Sequence, residues 1–594
     1  TWFAGRNPLG EDEPVFRDVN RWRAKFPCVV RFQVSARTKV AGLGQGRAGQ
    51  GCVGATVNTR EDNSRPPFAG PVMTKIRHLV LVLGDQLNHD SEAFDDFDPK
   101  TDRVWMAEND EEATHVWCHQ TRLVGFFSPM RHFREELTQR GFDVLYHELT
   151  GDRRKARESS FASVLRRTLS AYSVEKILVV APGDYRVREQ LKSTAEQEDV
   201  PLEFLADNHF YCSPDQFDEW ALGRKSMVME QFYRTMRKEH GILLDEEGAP
   251  EGGQWNFDQD NRKTFGKGGP TKVPPTPSFE PDAITREVIA MVRDRFEDHP
   301  GKVDQFDLPV CRDEALESLD DFIEHRLPLF GTYQDAMWEG ETFLYHSRLS
   351  HSINLHLLSP KEVVDAAVKA YEDGIAPLNC VEGFVRQILG WREYVRGVYW
   401  NRMPDYEERN ALHCDSEQDV PPFFWDGNTD MACVADAMRL LVDTAYAHHI
   451  QRLMVLGLFA QLFGTHPLRF HHWHMAMYAD AIDWVSLPNA LGMSQYGDGG
   501  LMATKPYCAT GKYINRMSNH CKNCRYDPAK STGDDACPFT TLYWDFLDRH
   551  KQQFQNNNRM TLQLKNIERK DSSEWSAIRS RARKIRSGTI KLQQ

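Results

Sequence analysis

The chain of 594 residues has no apolar run long enough to cross a membrane, which would take about 18 consecutive apolar residues. It is also short of positive charge, because 73 Lys and Arg face 86 Asp and Glu, for a formal net charge of −13. Nucleic-acid-binding proteins are usually basic, so this total argues against DNA as a partner. It does not exclude DNA, since the local field at a surface matters more than the total charge.

Two basic clusters are candidates for such a local field. One comprises Arg234, Arg237 and Lys238, and the other runs from Arg579 to Arg586. Taken alone, each cluster is more often a solvated helix face than a binding surface. They therefore indicate DNA binding only if other features of the chain point to it.

The regular cysteine spacing of a disulfide-rich protein is missing as well. The 12 cysteines are unevenly spaced, and four of them fall between Cys508 and Cys537. This pattern favours a reduced compartment and a metal site over a secreted disulfide framework. With 40% hydrophobic and 27% charged residues, the chain has the composition of a globular protein of two or three domains.

Three cysteines gather in the stretch HCKNCRYDPAKSTGDDACP. Cys521 and Cys524 form a C-x-x-C turn, which directs both sulfurs to one point, and Cys537 precedes a proline. This predicts a metal site, either zinc or iron–sulfur. A redox pair is disfavoured because no strand precedes His520, and no second C-x-x-C or H-x-x-x-H follows to complete a usual zinc site. Unligated cysteines are the remaining alternative. The candidates for a fourth ligand are Cys380, Cys414, Cys433 and Cys508.

Residues 1–72 differ from the rest of the chain. They are rich in Arg, Gly and small polar residues and show weak hydrophobic periodicity, which predicts a disordered extension. A transit peptide is also Arg-rich but poor in acids, and the four acids between Glu11 and Asp18 disfavour it. We therefore expect the folded protein to open at Met73.

Residues 73–206 are predicted to form a doubly wound α/β domain with a parallel sheet. Short apolar runs alternate there with helical stretches such as Pro129 to Arg140. Ligands of such sheets bind beyond the carboxyl ends of the strands, where Asp85, Glu108 and Asp184 stand. No G-x-G-x-x-G follows these strands, so an ordinary dinucleotide site is not expected. The predicted strands are His78–Leu83, Val104–Glu108, Phe142–Tyr146 and Ile177–Val180.

The rest of the chain divides into three parts. Residues 207–306 are predicted to be a connector with a basic helix from Ser226 to Glu239 and a mobile loop from Gly266 to Pro277. Residues 307–560 show apolar residues at helical spacing, and many short helices suit a pocket for a large cofactor. Residues 561–594 are predicted to be a basic tail.

Several strings keep one order along most of the chain. They are LGDQL at Leu83, GWREY at Gly390, AYAHHIQR at Ala445, YAD at Tyr478 and KPY at Lys505, followed by the cysteine stretch. On these strings the chain, from Met73 to about Arg559, resembles the photolyase/cryptochrome superfamily. Within it, the match is to the iron–sulfur bacterial branch, the prokaryotic (6-4) photolyases.

The resemblance implies an N-terminal antenna domain, a long connector and a C-terminal helical domain that holds FAD and a [4Fe–4S] cluster. It implies blue-light-driven repair of (6-4) photoproducts by electron transfer from reduced FAD, with a histidine as proton donor. The partner is then UV-damaged DNA, and we expect a monomer in the bacterial cytoplasm. The alternatives are a cryptochrome-type photoreceptor that repairs nothing and a metal-stabilised nucleic-acid binder without flavin.

The resemblance also implies the residues of the flavin pocket. The chain departs from the family beside the flavin N5, where the pattern Trp-Val-Glu is replaced by Trp484-Val485-Ser486, which alters flavin protonation and leaves flavin binding in place. Without the resemblance, Arg392 would be assigned to a buried ion pair with Glu393. The implied FAD-binding residues are His346, Ser347, Leu349, Ser350, Asn354, Glu382, Gln387, Trp391, Arg392, Arg452, Asp480 and Asp483.

Repair of this lesion needs an electron and a proton, and histidine donates a proton near neutral pH. The resemblance implies His449 as the acid, His448 as its support and Tyr507 in the lesion pocket. The histidine pair is predicted in the middle of a helix, where neighbours point about 100° apart. A histidine in a helix is otherwise usually a packed or solvated residue.

Two tryptophans match the aromatic relay through which the family reduces its flavin, Trp425 and Trp473. The family usually continues this relay with tyrosines, where this chain has His474 and Ile482. We therefore expect the surface end of the relay to be rerouted or slower. Outside the resemblance, a single tryptophan here is more often core packing.

The last two implied sites concern the antenna and the cluster. The antenna of the branch is 6,7-dimethyl-8-ribityllumazine, and by position its polar contacts are Asp85, Glu108 and Glu112. Without the resemblance, each of these acids could equally well be a helix cap or a residue of a solvated loop. The implied cluster ligands are Cys433, Cys521, Cys524 and Cys537.

Overall fold

Residues 74–151, 159–224 and 227–593 are described by the structure, a computed structural model. The predicted extension, residues 1–72, lies outside the described residues. Among those that are described, no helix is both long and apolar enough to cross a membrane.

Five parallel strands form the sheet of the N-terminal domain, in the order β3-β2-β1-β4-β5. Val80 of β1 stands opposite Val104 of β2 and Leu178 of β4, so β1 is the central strand. The four predicted strands are confirmed, and the fifth, a run of four residues, was missed. The strands are β1 (Thr74–Leu81), β2 (Arg103–Ala107), β3 (Val144–His147), β4 (Tyr172–Val180) and β5 (Leu202–Leu205).

Both faces of the sheet are buried. Leu79 and Leu81 point to a core that contains Phe161 and Leu191, whereas Val80 between them belongs to the core shared with the helical region. Successive side chains of a strand point to opposite faces, and a parallel strand covered on both sides is a continuous apolar run. The apolar run at β1 therefore leads to the doubly wound α/β fold that was predicted.

Helices make up most of the remaining chain, as predicted. Four segments are π-helical: Phe322–Arg326, Arg386–Arg392, Gln451–Gly457 and Pro488–Ser494. Four short turns are 3₁₀: Glu92–Phe94, Glu251–Gly253, His520–Lys522 and Asn558–Met560. The α-helices are α1 (Asp110–Thr114), α2 (Gln120–Gln139), α3 (Phe161–Ala171), α4 (Tyr185–Gln197), α5 (Pro214–Ala221), α6 (Met229–His240), α7 (Ala283–Arg295), α8 (Arg312–Asp321), α9 (Leu327–Tyr333), α10 (Ser350–Asn354), α11 (Pro360–Glu372), α12 (Leu378–Val385), α13 (Glu393–Arg402), α14 (Phe423–Asp426), α15 (Ala432–Thr444), α16 (Leu458–Phe463), α17 (Pro467–Met477), α18 (Asp483–Leu487), α19 (Gly511–Met517), α20 (Pro538–Arg549), α21 (Lys551–Phe554), α22 (Thr561–Ile567) and α23 (Ser572–Arg586).

The histidine pair does not lie in the middle of a helix, which corrects the prediction for AYAHHIQR. Helix α15 ends at Thr444 because Ala445 adopts the left-handed conformation, with φ of 52°. His448 lies in the irregular stretch that follows, and His449 is the residue at which the chain becomes helical again. The two rings are therefore set by a chain break and not by the spacing of a continuous helix.

The predicted basic tail is a folded part of the molecule over its described residues. Helix α23 packs against α20, with the rings of Trp575 and Trp544 6.4 Å apart. Arg579 donates two hydrogen bonds to Asp548 of α20 at 2.7 and 2.9 Å. Arg579, Arg581 and Arg586 are thus engaged within the chain, whereas Arg583 is exposed.

Candidate active site

Four cysteines line one cavity, with about 310 Å³ of space not filled by protein atoms: Cys433, Cys521, Cys524 and Cys537. Cys433 comes from the first turn of α15, and the other three come from the loop before α20. The remaining candidates for a fourth ligand, Cys380, Cys414 and Cys508, do not line this cavity.

The charge balance of this cavity suits a cation. Burial raises the pKa of Cys521 to about 12 and that of Cys537 to about 11, and the neighbouring thiolates add to the effect. Burial and the same three neighbours raise the pKa of Cys433 well above its usual range. Four thiolates can be held together here only if a positive centre compensates their charge, as a metal cluster does.

The last residues of the chain tie together the two segments that carry these cysteines. The carbonyl of Leu592 accepts a hydrogen bond from the Asp430 amide at 2.7 Å, three residues before Cys433. Arg581 of α23 donates to the carbonyls of Asp534 and Ala536, at 3.3 and 3.1 Å, in the loop that leads to Cys537. We call residues 571–593 the C-terminal strap.

A buried ion pair forms the centre of a second site. Arg452, in the π-helical segment after His449, donates to both carboxylate oxygens of Asp480 at 2.9 and 3.0 Å. The Ser350 hydroxyl donates to Asp480 Oδ2 at 2.6 Å, and the Asn354 amide donates to the Asp480 carbonyl at 2.8 Å. Arg452 also lies over the ring of Tyr478, 4.0 Å from its centroid. The structure thus brings together four of the residues predicted to bind FAD, and Tyr478 lies beside them.

The loop before α10 carries the predicted phosphate contacts. The Leu349 amide donates to the Ser347 hydroxyl at 3.3 Å. Arg348 between them has a left-handed backbone, with φ of 59°, and its guanidinium pairs with Asp307 at 2.7 and 3.0 Å. Asp307 therefore neutralises this arginine and fixes the turn that presents Ser347.

Three histidines lie beside this loop: His346, His448 and His449. The rings of His346 and His448 are stacked, with centroids 4.5 Å apart and planes 13° apart, and His449 lies edge-on to His346 at 5.4 Å. Their nitrogens are close enough together to suggest a metal. However, the lone pair of an imidazole lies in its ring plane, so two stacked rings cannot both direct one at the same ion. The stacked rings of His346 and His448 instead form a flat surface, which we call the histidine wall.

His448 and His449 have different surroundings. His448 is buried, neither of its ring nitrogens has a hydrogen-bond partner among the described residues, and burial lowers its pKa well below the usual range. His449 is 45% exposed, and its Nε2 lies 3.4 Å from Asp335 Oδ1. Burial raises the pKa of Tyr507, which lies within electrostatic range of the same Asp335. Of the two histidines, His449 is therefore the one that solvent or a substrate can reach.

Several buried polar groups around the ion pair have no partner within the described protein. They include His448, His474 Nδ1 and the hydroxyls of Tyr478, Ser352 and Ser486. A buried polar group without a partner is costly, so such groups usually mark the position of a ligand or water. This set of unsatisfied groups fits a large polar cofactor such as FAD.

The remaining residues predicted for FAD have contacts within the chain, although Glu382 Oε1 and Arg392 Nε and Nη1 are buried without a hydrogen-bond partner among the described residues. Asp483 accepts hydrogen bonds from Tyr399 at 2.5 Å and from His471 at 3.0 Å, and it lines the antenna cleft described below. Arg392 packs on the ring of Trp484, 4.7 Å from its centroid. Glu382, Gln387 and Trp391 lie on α12 and the π-helical segment after it, where Glu382 accepts from the Phe257 amide at 3.2 Å, Gln387 donates to Gly383 at 3.1 Å and Trp391 packs near Tyr394.

The predicted relay tryptophans lie on facing elements. Trp473 of α17 is buried, and its indole N–H donates to the Phe424 carbonyl at 2.8 Å. That carbonyl belongs to the peptide that joins Phe424 to Trp425 of α14. Trp473 also meets the ring of Tyr478 at 5.9 Å. A continuous aromatic path therefore leads from the Arg452–Asp480 pair to Trp425.

A cleft at the carboxyl ends of β1, β2 and β4 carries the predicted antenna residues, with about 900 Å³ of space not filled by protein atoms, part of it open to solvent. It lies between the loops after β1 and β4, where the strand order reverses, the usual ligand position of such sheets. Glu112 receives two hydrogen bonds from Arg186 at 2.8 Å each. Burial acts to raise the pKa of Glu112, but Arg186 holds it below the usual range.

Two other acids of this cleft behave differently. Burial raises the pKa of Asp85 to about 7, and burial together with the nearby Asp483 does the same for Asp184. Glu108 is fully engaged, since Arg131 donates to both of its oxygens at 2.7 and 2.9 Å and the Tyr146 hydroxyl donates at 2.7 Å. Asp85 and Asp184 thus remain as proton-holding groups for a ligand.

The basic cluster on α6 is only partly available to DNA. Arg237 is 1% exposed, and its guanidinium donates to the carbonyls of Ile242, Leu243 and Trp255. This corrects its prediction as a DNA contact, because α6 ends at Gly241 and Arg237 secures the chain reversal that follows. Lys238 is exposed, and Arg234 pairs with Glu230 at 2.8 Å.

Comparison with known proteins gives matches of two kinds. A family model described as deoxyribodipyrimidine photo-lyase-related protein matches residues 80–308. A protein of Agrobacterium fabrum named (6-4) photolyase is 45% identical over 483 residues, covering 81% of this chain and 94% of that protein. The alignment thus spans most of this chain and nearly all of that relative.

Two solved structures are also similar. A bacterial class III photolyase from Agrobacterium tumefaciens aligns with 82% of this chain and 99% of its own, with a TM-score of 0.52 and 14% identity. A Synechocystis cryptochrome aligns with 81% of this chain and 95% of its own, with a TM-score of 0.48 and 14% identity. The first of these likenesses shows that the two chains share a fold.

Proposed function

The chain belongs to the photolyase/cryptochrome family, and we propose that it uses blue light to repair (6-4) photoproducts in UV-damaged DNA. The observation that carries this proposal is the exposed His449, which pairs with Asp335, lies edge-on to the buried His346 and precedes Arg452 of the buried ion pair by three residues. The relative named (6-4) photolyase, 45% identical over 94% of its length, supports the same reaction.

The family implies FAD as the cofactor, and the residues around the ion pair are suited to hold it. Arg452 and Asp480 offer paired donors and acceptors, and Ser347, Ser350 and Asn354 offer hydroxyl and amide groups for a polar cofactor. FAD bound there in its reduced form supplies the photoexcited electron for repair. The protein orients the cofactor and excludes water from the buried wall that His448 forms.

His449 is placed to give the lesion its proton. Its side chain is 45% exposed, and its Nε2 lies 3.4 Å from Asp335 Oδ1. His448 cannot take this role, because burial keeps it neutral. Tyr507 would complete the lesion pocket by packing and by its hydroxyl.

Two further groups belong to the proposal. The four cysteines of the cavity before α20 would hold a [4Fe–4S] cluster, with all ligands thiolates and no position open for substrate. The cleft around Asp85, Glu112 and Arg186 would hold 6,7-dimethyl-8-ribityllumazine as an antenna, with Arg186, Asp85 and Asp184 as its polar contacts. We propose a monomer, located in the cytoplasm.

The test is repair of an oligonucleotide with one (6-4) photoproduct. Protein with FAD is reduced chemically in the dark, mixed with the oligonucleotide and exposed to blue light, and restored pyrimidines are counted by chromatography. We expect repair in blue light and none in the dark. If pre-reduced protein binds the lesion and keeps its FAD but repairs nothing, the chain is a photoreceptor and the proposal is wrong.

A further inference from the structure

We propose that Trp117 is the outer member of the electron relay, following Trp473 and Trp425. This inference rests on the proposed flavin and on the two predicted relay tryptophans. Trp117 stands in the loop between α1 and α2 of the N-terminal domain, far in sequence from the other two. The relay would therefore leave the helical region and end in the sheet domain.

The ring contact is direct. The centroids of Trp117 and Trp425 are 5.1 Å apart, with planes 50° apart, within the usual range of packed aromatic pairs. Inward from Trp425, the indole N–H of Trp473 donates a hydrogen bond to the Phe424 carbonyl, in the peptide that joins Phe424 to Trp425. The ring centroids of Trp473 and Phe424 are 4.9 Å apart. Each step of the path is thus a contact, with no gap that an electron must cross through solvent.

The position of Trp117 is fixed from both sides. Its indole N–H donates to the Asp298 carbonyl at 2.9 Å. Two residues later, the His119 amide donates to the Ala476 carbonyl of α17 at 2.8 Å, and the His119 ring bonds to the Val442 carbonyl at 2.8 Å. The loop that carries Trp117 is therefore attached to the helix that carries Trp473. The spacing of the relay is held by hydrogen bonds to main-chain carbonyls.

The chemistry of the neighbouring side chains favours Trp117 over the residues at the family's usual positions. His474 and Ile482 stand where tyrosines are common in the family, and neither an imidazole nor an alkyl group is oxidised by a tryptophan radical cation. An indole can exchange an electron with another indole at little cost. Trp117 is 7% exposed, so its edge reaches solvent while its ring stays in contact with Trp425.

The electron balance of the step is simple. Trp425 has lost one electron inward to Trp473 and is a radical cation. Trp117 gives one electron to Trp425, which becomes neutral, and Trp117 becomes the radical cation. A thiol in solution then gives its electron to Trp117 and its proton to water, and it leaves as a thiyl radical. The radical cation lives longer on Trp117 than on Trp425, because the electron that returns from the flavin must then pass one more residue to reach it.

The experiment is transient absorption of the full chain with oxidised FAD after a blue flash, followed by steady photoreduction with a thiol. In Trp117→Phe, which keeps an aromatic ring but removes the indole, we expect the long-lived tryptophan radical to be lost and photoreduction to slow. Repair by chemically pre-reduced Trp117→Phe should match wild type, which shows that the variant is folded. Trp117→Tyr should restore a long-lived radical, now with a tyrosyl spectrum.

The control is Trp220→Phe, which removes an indole that lies among Phe217 and Phe232, away from the relay. It should leave the radical signal and photoreduction unchanged. If Trp117→Phe keeps the wild-type radical lifetime and photoreduction rate, Trp425 is the last member and the inference is wrong. If wild type gives no tryptophan radical at all, the proposed flavin site and its relay are wrong, and the inference about Trp117 is wrong with them.

Discussion

Arg452 holds both carboxylate oxygens of Asp480, at 2.9 and 3.0 Å, and this pair connects three chain segments that the sequence places far apart. Ser350 and Asn354 reach it from α10, and Tyr478 covers the guanidinium. Burial acts to raise the pKa of Asp480, but Arg452 outweighs it and keeps the carboxylate ionised. The pair is therefore a permanent, desolvated charge pair at the proposed flavin site.

Replacing one member of this pair should release the cofactor. Asp480→Asn leaves the Arg452 charge buried without its partner, which typically costs about 3–5 kcal/mol. We expect purified Asp480→Asn to contain little FAD and to melt at a lower temperature. Asp483→Asn is the matched control, because Asp483 faces the antenna cleft and should keep its FAD. FAD content is measured from flavin absorbance per chain. Equal FAD loss in both variants would contradict this assignment.

The cysteine cavity predicts which fourth thiol holds the cluster. Wild-type protein should contain about four iron and four sulfide per chain, as a [4Fe–4S] centre requires. Cys433→Ala should abolish the cluster, whereas Cys508→Ala should keep it, since only Cys433 lines the cavity with the other three. Iron and sulfide analysis decides between them. One zinc per chain without sulfide would show that the site is a zinc site.

The C-terminal strap should protect the cluster rather than bind it. Arg581→Ala removes two hydrogen bonds to the loop before Cys537, a loss of about 1–3 kcal/mol in local stability. We expect the freshly prepared variant to carry a full cluster that bleaches faster under air or with an iron chelator. Arg579→Ala, which removes only an exposed pair with Asp548, is the control. Equal bleaching of Arg581→Ala and wild type would exclude a protective role.

The fold follows from local patterns that the sequence displays openly. Apolar runs such as β1 are bounded by loops, and each forms a buried parallel strand because helices cover both faces of the sheet. The cavity cysteines are equally visible, since Cys521 and Cys524 share one turn. Each of these local structures, the strands and the cysteine turn, is determined by a few residues adjacent in sequence.

Other features depend on contacts between distant segments and were missed for that reason. The break at Ala445 needs a left-handed alanine, which no local signal announces. Arg237 is buried because carbonyls of a later reversal surround it. Trp117 meets Trp425 only because His119 attaches its loop to α17. That Asp483, three residues after Asp480, also lines the cleft at the strand ends was likewise not visible in the sequence.

Asp85 predicts a pH dependence at the antenna cleft. Because burial raises its pKa to about 7, the folded protein holds this proton at pH 6, where an unfolded chain has lost it. The free energy of unfolding from this group should therefore fall as pH rises from about 4 to 7 and then stay level. Infrared spectra should show a protonated carboxyl band at pH 6 that fades by pH 8.

Two variants identify the source of that band. Asp85→Asn should remove one part of it and Asp184→Asn another, because burial and Asp483 raise the pKa of Asp184 to about 7 as well. Glu112→Gln should shift the loss of the band to lower pH, since the ionised Glu112 adds no protonated carboxyl of its own but its charge helps to raise the pKa of Asp85 and of Asp184. A band that persists unchanged in both aspartate variants would show that neither acid holds the proton.

His449 separates a repair enzyme from a receptor. His449→Ala should keep its FAD, because the Arg452–Asp480 pair is untouched, and lesion binding should weaken by only about 1–2 kcal/mol for one lost hydrogen bond. Repair by pre-reduced protein should fall roughly a hundredfold or more, the usual range for removal of a general acid. His449→Gln, which can donate a hydrogen bond but not a proton, should bind nearly as wild type and still fail to repair. If His449→Ala repairs at the wild-type rate, another group supplies the proton, and since burial keeps His448 neutral, Tyr507 becomes the residue to replace first.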